Sequence, residues 1–210
     1  KELLLANKEL DFSFGFGGGT YGNLGRFRVN LYFQRGILSG AFRFLEPNIK
    51  TIDDLHLPKI AHNFAALKQG FILVTGPTGQ GKSTTLAAII NEINANRANH
   101  ILTIEDPIEY IYPNGKSIIS QREMGSDTHS WGMALKSALR EDPDVVLVGE
   151  MRDPETISSA ITVAETGHLV FSTLHTNSAS QTIDRIIDSF PADQQTQIKI
   201  QLASTLKGII

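Results

Sequence analysis

The sequence contains no cysteine, one tryptophan and three methionines, and aromatic residues make up 8% of its 210 positions. Without cysteine there is no disulfide framework and no thiolate zinc site in this stretch, and the composition fits a reducing compartment. No apolar run approaches the roughly 20 residues that a membrane-spanning helix needs, and no signal peptide opens the chain. Basic residues are not in excess either. With 19 Lys and Arg against 22 Asp and Glu, the formal net charge of −3 excludes a strongly basic nucleic-acid binder. The expectation is therefore a soluble, cytoplasmic protein with no nucleic-acid partner. At 41% hydrophobic and 20% charged residues, the chain has enough apolar material for a true core. It opens on Lys1 and closes on Leu206-Lys207-Gly208-Ile209-Ile210, read as part of an amphipathic helix, so a fragment of a longer polypeptide is expected.

Two kinds of hydrophobic pattern divide the sequence. In residues 25–33, Arg26, Arg28, Asn30 and Tyr32 alternate with Phe27, Val29, Leu31 and Phe33, the period of a half-buried strand. A second strand is predicted at about 38–45, with Gly36 in the turn and a glycine-rich loop from Gly15 to Gly25 ahead of both. Residues 47–58, bracketed by Pro47 and Pro58, read as a linker. A helix from about Lys59 to Lys68 is expected to end at Gly70 as its C-cap. Beyond it, 71–75, 101–104, 145–148 and 169–174 are short continuous apolar runs, separated by helical stretches at 82–95, 130–139 and 156–165. Such runs suit strands buried on both faces, and the alternation predicts an α/β domain around a mostly parallel sheet.

Gly76-Pro77-Thr78-Gly79-Gln80-Gly81-Lys82-Ser83, followed by Thr84, has the spacing of a phosphate-binding loop between a strand and a helix. Glycines let backbone N–H groups close around an anion, and the following helix directs the positive end of its dipole at it. Lys82 is expected to reach the β- and γ-phosphates of a nucleotide and the Ser83 hydroxyl to ligate Mg²⁺. The run Val145–Val148 delivers Glu150 to the sheet edge in the manner of a Walker B strand, as a second ligand of Mg²⁺, directly or through water. Arg152 and Asp153 beside it could form a local ion pair. The run 101–104 carries three more carboxylates, Glu105, Asp106 and Glu109, any of which could orient the attacking water, and spacing alone does not choose among them. His175 leaves the run 169–174 at the edge that carries the phosphate loop and is placed to sense a γ-phosphate. His168 opens the same run, about 20 Å away on a regular strand, so the two imidazoles cannot share one site.

Four stretches together carry a family resemblance: 76–87, Thr103-Ile104-Glu105-Asp106-Pro107-Ile108-Glu109-Tyr110, 138–153 and Thr166 to Thr176. They are similar to the Walker A, Asp, Walker B and His boxes of the secretion-ATPase superfamily, and the segment Ala179 to Pro191 resembles its type IV pilus retraction branch. The resemblance implies a RecA-like ATPase domain over 59–210, preceded over 1–46 by the C-terminal part of a PAS-like domain. It singles out Glu109 as the catalytic glutamate, with Glu150 and Lys82 in support, and His168 and His175 as the His-box pair. Arg26, Arg28 and Arg43 become candidates for phosphate contact. It further implies ATP and Mg²⁺, a homo-hexamer beneath an inner-membrane platform protein, and a paralogous ATPase as a further partner. Related type II or type IV secretion and pilus-assembly motors, or an accessory nucleotide-binding subunit, are the alternatives. Gln80 stands where the family usually has serine and presents its backbone to phosphate. Pro154, where leucine is common, suits the first turn of a helix.

Overall fold

The computed structural model describes residues 2–16 and 25–210, and its contacts divide the chain into two compact units. Most of the glycine-rich loop read at 15–25 lies outside the described residues. The first unit comprises Lys1–Ile49 together with Pro107–Ile111, a short segment that sequence order places deep inside the second.

In the first unit, helix α1 (Glu2–Asn7) precedes strands β1 (Glu9–Phe16), β2 (Gly25–Gln34) and β3 (Ile37–Leu45), which form an antiparallel sheet in that order. The two strands expected from sequence are β2 and β3. Their turn is Arg35-Gly36, with φ of 53° and 79°, the left-handed pair that a tight type I′ hairpin requires. β1 went unread, although Leu10, Phe12, Phe14 and Phe16 alternate with Glu9, Asp11, Ser13 and Gly15 in the same period of two. Register sets Phe12, Val29 and Phe42 in one row and Phe14, Phe27 and Phe44 in the next. The Phe27 and Phe44 rings meet edge to face, 5.4 Å between centroids. Val29 is fully buried, yet Phe14, Phe16, Phe42 and Phe44 remain exposed within this unit.

The second unit, Lys50–Asp106 and Tyr112–Ile210, holds a sheet of six strands, all paired in parallel. Its elements are α2 (Ile60–Ala66), β4 (Gly70–Thr75), α3 (Lys82–Asn96), β5 (His100–Glu105), β6 (Ile118–Glu123), α4 (Trp131–Ala138), β7 (Val145–Val148), α5 (Pro154–Glu165), β8 (Leu169–Leu174), α6 (Ala179–Asp188), α7 (Ala192–Thr205) and β9 (Leu206–Ile209). The strand order is β6-β5-β7-β8-β4-β9, so the chain reverses its winding across the sheet. One face buries Ile72, Val74, Ile101, Leu147 and Phe171 beneath α2 and α3. The other buries Phe71, Leu73, Ile104, Val148 and Val170 beneath α4, α5 and α7. Both faces are covered, which is why these strands read as unbroken apolar runs.

Two local expectations are corrected. Gly70 does not cap α2: Leu67 ends that helix in an extended conformation, and Gly70 opens β4 with φ 127°. Leu206–Ile210 is not helical either. β9 pairs with β4, Ile210 N donating to Leu73 O at 2.9 Å and Thr75 N to Ile210 O at 2.7 Å. Apolar residues at 206, 209 and 210 suit either period over so short a run, and pairing with β4 decides between them. Gly208 serves this approach, since a Cβ there would run into the Phe64 ring.

Candidate functional site

β4 ends at Thr75, and the loop that follows turns on glycines. Gly76, Gly79 and Gly81 adopt φ of 146°, 82° and 86°, values that a side chain would resist. Gly81 is also the N-cap of α3, left-handed and without a side-chain cap. The first amides of α3 have no acceptor within the helix and point, with the positive end of its dipole, into the concavity of the loop. Pro77, Thr78, Gly79, Gln80 and Ser83 are exposed, and Thr84 is half-buried one position further into the helix.

Lys82 Nζ bends back over the loop, donating to Gly76 O at 2.7 Å and Pro77 O at 3.0 Å, with His175 Nδ1 at 3.4 Å. His175 follows the last residue of β8, the strand beside β4. Its other nitrogen, Nε2, lies 3.7 Å from Glu150 Oε2. Lys82, His175 and Glu150 thus form a chain of charged and titratable groups along the C-terminal edge of β4, β8 and β7.

Glu150 owes its place to how tightly β7 is held at that edge. Gly149 N donates to Ile104 O at 2.8 Å, and Ser172 and Thr173 on β8 donate their hydroxyls to Val148 O at 2.8 Å and Gly149 O at 2.7 Å. A side chain at Gly149 would press on the backbone of Ile104 and Glu105 at 3.3 Å. The Glu150 side chain is only 18% exposed, and its Oε1 is 2.9 Å from Arg152. An ion pair of Arg152 with Asp153 does not form. Asp153 instead caps α5, accepting from Thr156 N at 2.8 Å and Thr156 Oγ1 at 2.7 Å, with Pro154 in the first turn. Arg152 is thus the partner of Glu150, signalled in the sequence by nothing more than an arginine two residues after the acid.

The remaining carboxylates separate. Glu105 closes β5 in a buried position, where Oε1 accepts from Thr103 Oγ1 at 2.7 Å and Gln121 Nε2 at 3.3 Å. Asp106 is exposed. Glu109 lies half-buried in Pro107–Ile111, the segment that packs with the first unit. Arg26, Arg28 and Arg43 belong to that unit too and share one face of its sheet, Arg28 directly opposite Arg43. Arg28 reaches Asp11 at 3.9 Å, and Arg43 is exposed. Like charges placed opposite one another across strands disfavour the pairing unless an anion joins them. His168 stands at the other end of β8 from His175, with Nδ1 against Val163 O at 2.9 Å and Thr166 Oγ1 at 3.0 Å, a structural arrangement.

A hydroxyl at Ser83 and a carboxylate at Glu150 are hard oxygen donors, the chemistry that Mg²⁺ prefers. The glycine loop and the α3 N-terminus suit phosphate groups.

Comparison with known proteins follows the same lines. Residues 48–210 match the model of a family described as type II/IV secretion system protein. A twitching motility protein of Neisseria gonorrhoeae is 50% identical over all 210 residues, which cover 55% of its length. The type IV pilus retraction ATPase PilT of Pseudomonas aeruginosa is 48% identical across 96% of this chain and 57% of its own. The crystal structure of the pilus retraction motor PilT with bound ADP superposes with a TM-score of 0.93 at 53% identity, over 99% of this chain and 59% of that one. The ATPase DotB of Legionella pneumophila gives a TM-score of 0.87 at 32% identity, over 98% and 57%. The chain spans little more than half the length of these relatives.

Proposed function

This chain belongs to the type II/IV secretion system protein family, and from that premise we propose that it is the nucleotide-binding part of an ATP-hydrolysing, hexameric motor that retracts type IV pili and so drives twitching motility. The observation that carries the proposal is the line of Lys82, His175 and Glu150 beside a glycine loop at a helix N-terminus. Likeness to the ADP-bound retraction motor supports the same reading.

In this reading Gly76–Thr84 cradle the phosphates of ATP with backbone N–H groups. Lys82 leaves the carbonyls of Gly76 and Pro77 for the β- and γ-phosphates, which offer it a full opposing charge. Ser83 and Glu150 would hold Mg²⁺, which supplies charge neutralisation at the transferred phosphoryl group. Glu109 orients and deprotonates the attacking water, a role taken from its match to the family's catalytic glutamate. His175, hydrogen-bonded to Lys82, senses the γ-phosphate and relays its loss to Glu150. Arg28 and Arg43 contribute positive charge toward phosphate. The motor is proposed to work as a homo-hexamer at the inner face of the cytoplasmic membrane, against a platform protein and alongside a paralogous ATPase. No helix among the described residues is long and apolar enough to cross a membrane.

The test is Mg²⁺-dependent ATP hydrolysis by the full chain, with particle size measured in parallel. Lys82→Ala should lose nucleotide binding and turnover together, by about 100-fold or more in turnover, as removal of a group that stabilises transition-state charge does. Glu109→Gln should keep ATP binding and lose turnover. Normal hydrolysis by either variant would remove the mechanism given above.

A further inference from the structure

The segment that carries Glu109 is anchored at its apex and at its base by two different side chains. At the apex, Arg26 Nε donates to Ile108 O at 3.0 Å, while its NH2 group donates to Ser13 Oγ on the neighbouring strand. At the base, Gln121 uses both ends of its amide: Oε1 accepts from Tyr112 N at 3.3 Å and Nε2 donates to the buried Glu105 at 3.3 Å. Within the second unit one residue of β6 thus holds both the end of β5 and the residue at which the chain returns, and within the first unit segment 107–111 is held by β2.

The carbonyl that Arg26 grips belongs to the peptide unit that joins Ile108 to Glu109. That unit is planar, so fixing Ile108 O also fixes the direction of the Glu109 nitrogen and the starting point of its side chain. A guanidinium suits this task because its donors form a rigid fork, here spread across Ile108 O and Ser13 Oγ, and a charged donor makes the stronger bond. Ile108 is itself buried, at 6% exposure, so shifting the segment would cost that burial.

We propose that Arg26 is a positioning residue for Glu109: through Ile108 O it ties the peptide of the hydrolytic carboxylate to strand β2, so that any displacement of the N-terminal sheet moves Glu109 with it. This rests on the role proposed for Glu109 and departs from the phosphate contact that family resemblance implies for Arg26. Misplacing a catalytic group by about 1 Å costs on the order of 100-fold in rate without requiring any loss of binding. The two roles therefore separate in kinetics.

The experiment uses the full chain with Arg26→Ala, Arg26→Lys and Ser13→Ala, and measures kcat, KM for ATP, Mg·ADP affinity and amide hydrogen exchange over residues 108–111. Arg26→Ala should lower kcat by about 10- to 100-fold, leave KM and ADP affinity within about twofold, and raise exchange in the segment. Arg26→Lys keeps the charge but not the fork and should behave like the alanine variant, whereas a phosphate ligand would be largely rescued by it. Ser13→Ala, a mild change that removes the Oγ acceptor, should give a smaller loss of the same kind. Combining Arg26→Ala with Glu109→Gln should cost no more than Glu109→Gln alone, because both act through one carboxylate. A fall in ADP affinity of about tenfold or more with unchanged exchange in 108–111 would make Arg26 a phosphate ligand and overturn the proposal. Absence of turnover in the unsubstituted chain would defeat the motor reading instead, and the exchange measurement would still decide whether Arg26 holds the Glu109 segment.

Discussion

The two units bury their sheets differently. The first has three antiparallel strands with aromatic residues on one face, several of which stay exposed within the unit. The second has six parallel strands with helices over both faces, and the side chains of β7 and β8 are all buried. In the second unit an apolar run reports burial and a residue just past it reports a site, because the parallel strands all end at one edge. In the first, alternation reports only which face is apolar. A charged residue on the other face can contact anion, backbone or water: Arg26 reaches Ile108 O and Ser13, Arg28 reaches Asp11 and Arg43 is exposed, although the three look alike in sequence.

Core truncation should expose this contrast most strongly. Phe171→Ala, in the fully buried centre of β8, is expected to destabilise the second unit by about 3–5 kcal/mol, read as a lower urea midpoint. A midpoint shift near zero would mean that the sheet's two covered faces do not form one cooperative core. Next in size is the cap that sets α5 behind Glu150. Asp153→Ala removes both hydrogen bonds to Thr156 and should cost about 1 kcal/mol, with Asp153→Asn recovering most of it. Phe42→Ser on the exposed part of the first sheet should change the stability of the chain by no more than about 0.5 kcal/mol. A loss as large as that of Phe171→Ala would show that Phe42 is covered in solution.

The last prediction concerns pH. At the start of β7, Asp144 is held below the usual carboxylate range, chiefly by a hydrogen bond from Asn99 and also by the His100 N–H at 2.8 Å, against the opposing effect of burial. A depressed folded-state value contributes stability above the unfolded value of about 3.9 that is lost as pH falls through the folded one. Asp144→Asn should therefore flatten the acid limb of an unfolding curve and lower stability slightly at neutral pH. An acid limb unchanged by the substitution would remove Asp144 from the account.

Legibility followed the physics of each element. The glycine loop could be read because its three positive-φ positions demand glycine and its helix must follow at once. Glu150 and His175 could be read because each follows a buried strand. β6 was missed since, as an edge strand with Ser120, Gln121 and Arg122 among its six residues, it lacks a continuous apolar run. β9 was mistaken for helix since four residues carry no period of their own. The choice among Glu105, Asp106 and Glu109 needed burial and hydrogen bonds before Glu105 could be set apart as a structural acid gripped by Thr103 and Gln121.

By itself the sequence determined the class of fold, the phosphate loop and the edge of the sheet at which its partners emerge. These depend on backbone torsions and on local periodicity, and both are written in neighbouring residues. Tertiary structure alone decided that Glu150 faces His175, that β9 joins the sheet beside β4, and that the segment bearing Glu109 packs with the N-terminal sheet through Arg26. Each of these is a contact whose geometry no local pattern specifies: the torsions along the chain set where a side chain starts, and packing sets whom it meets.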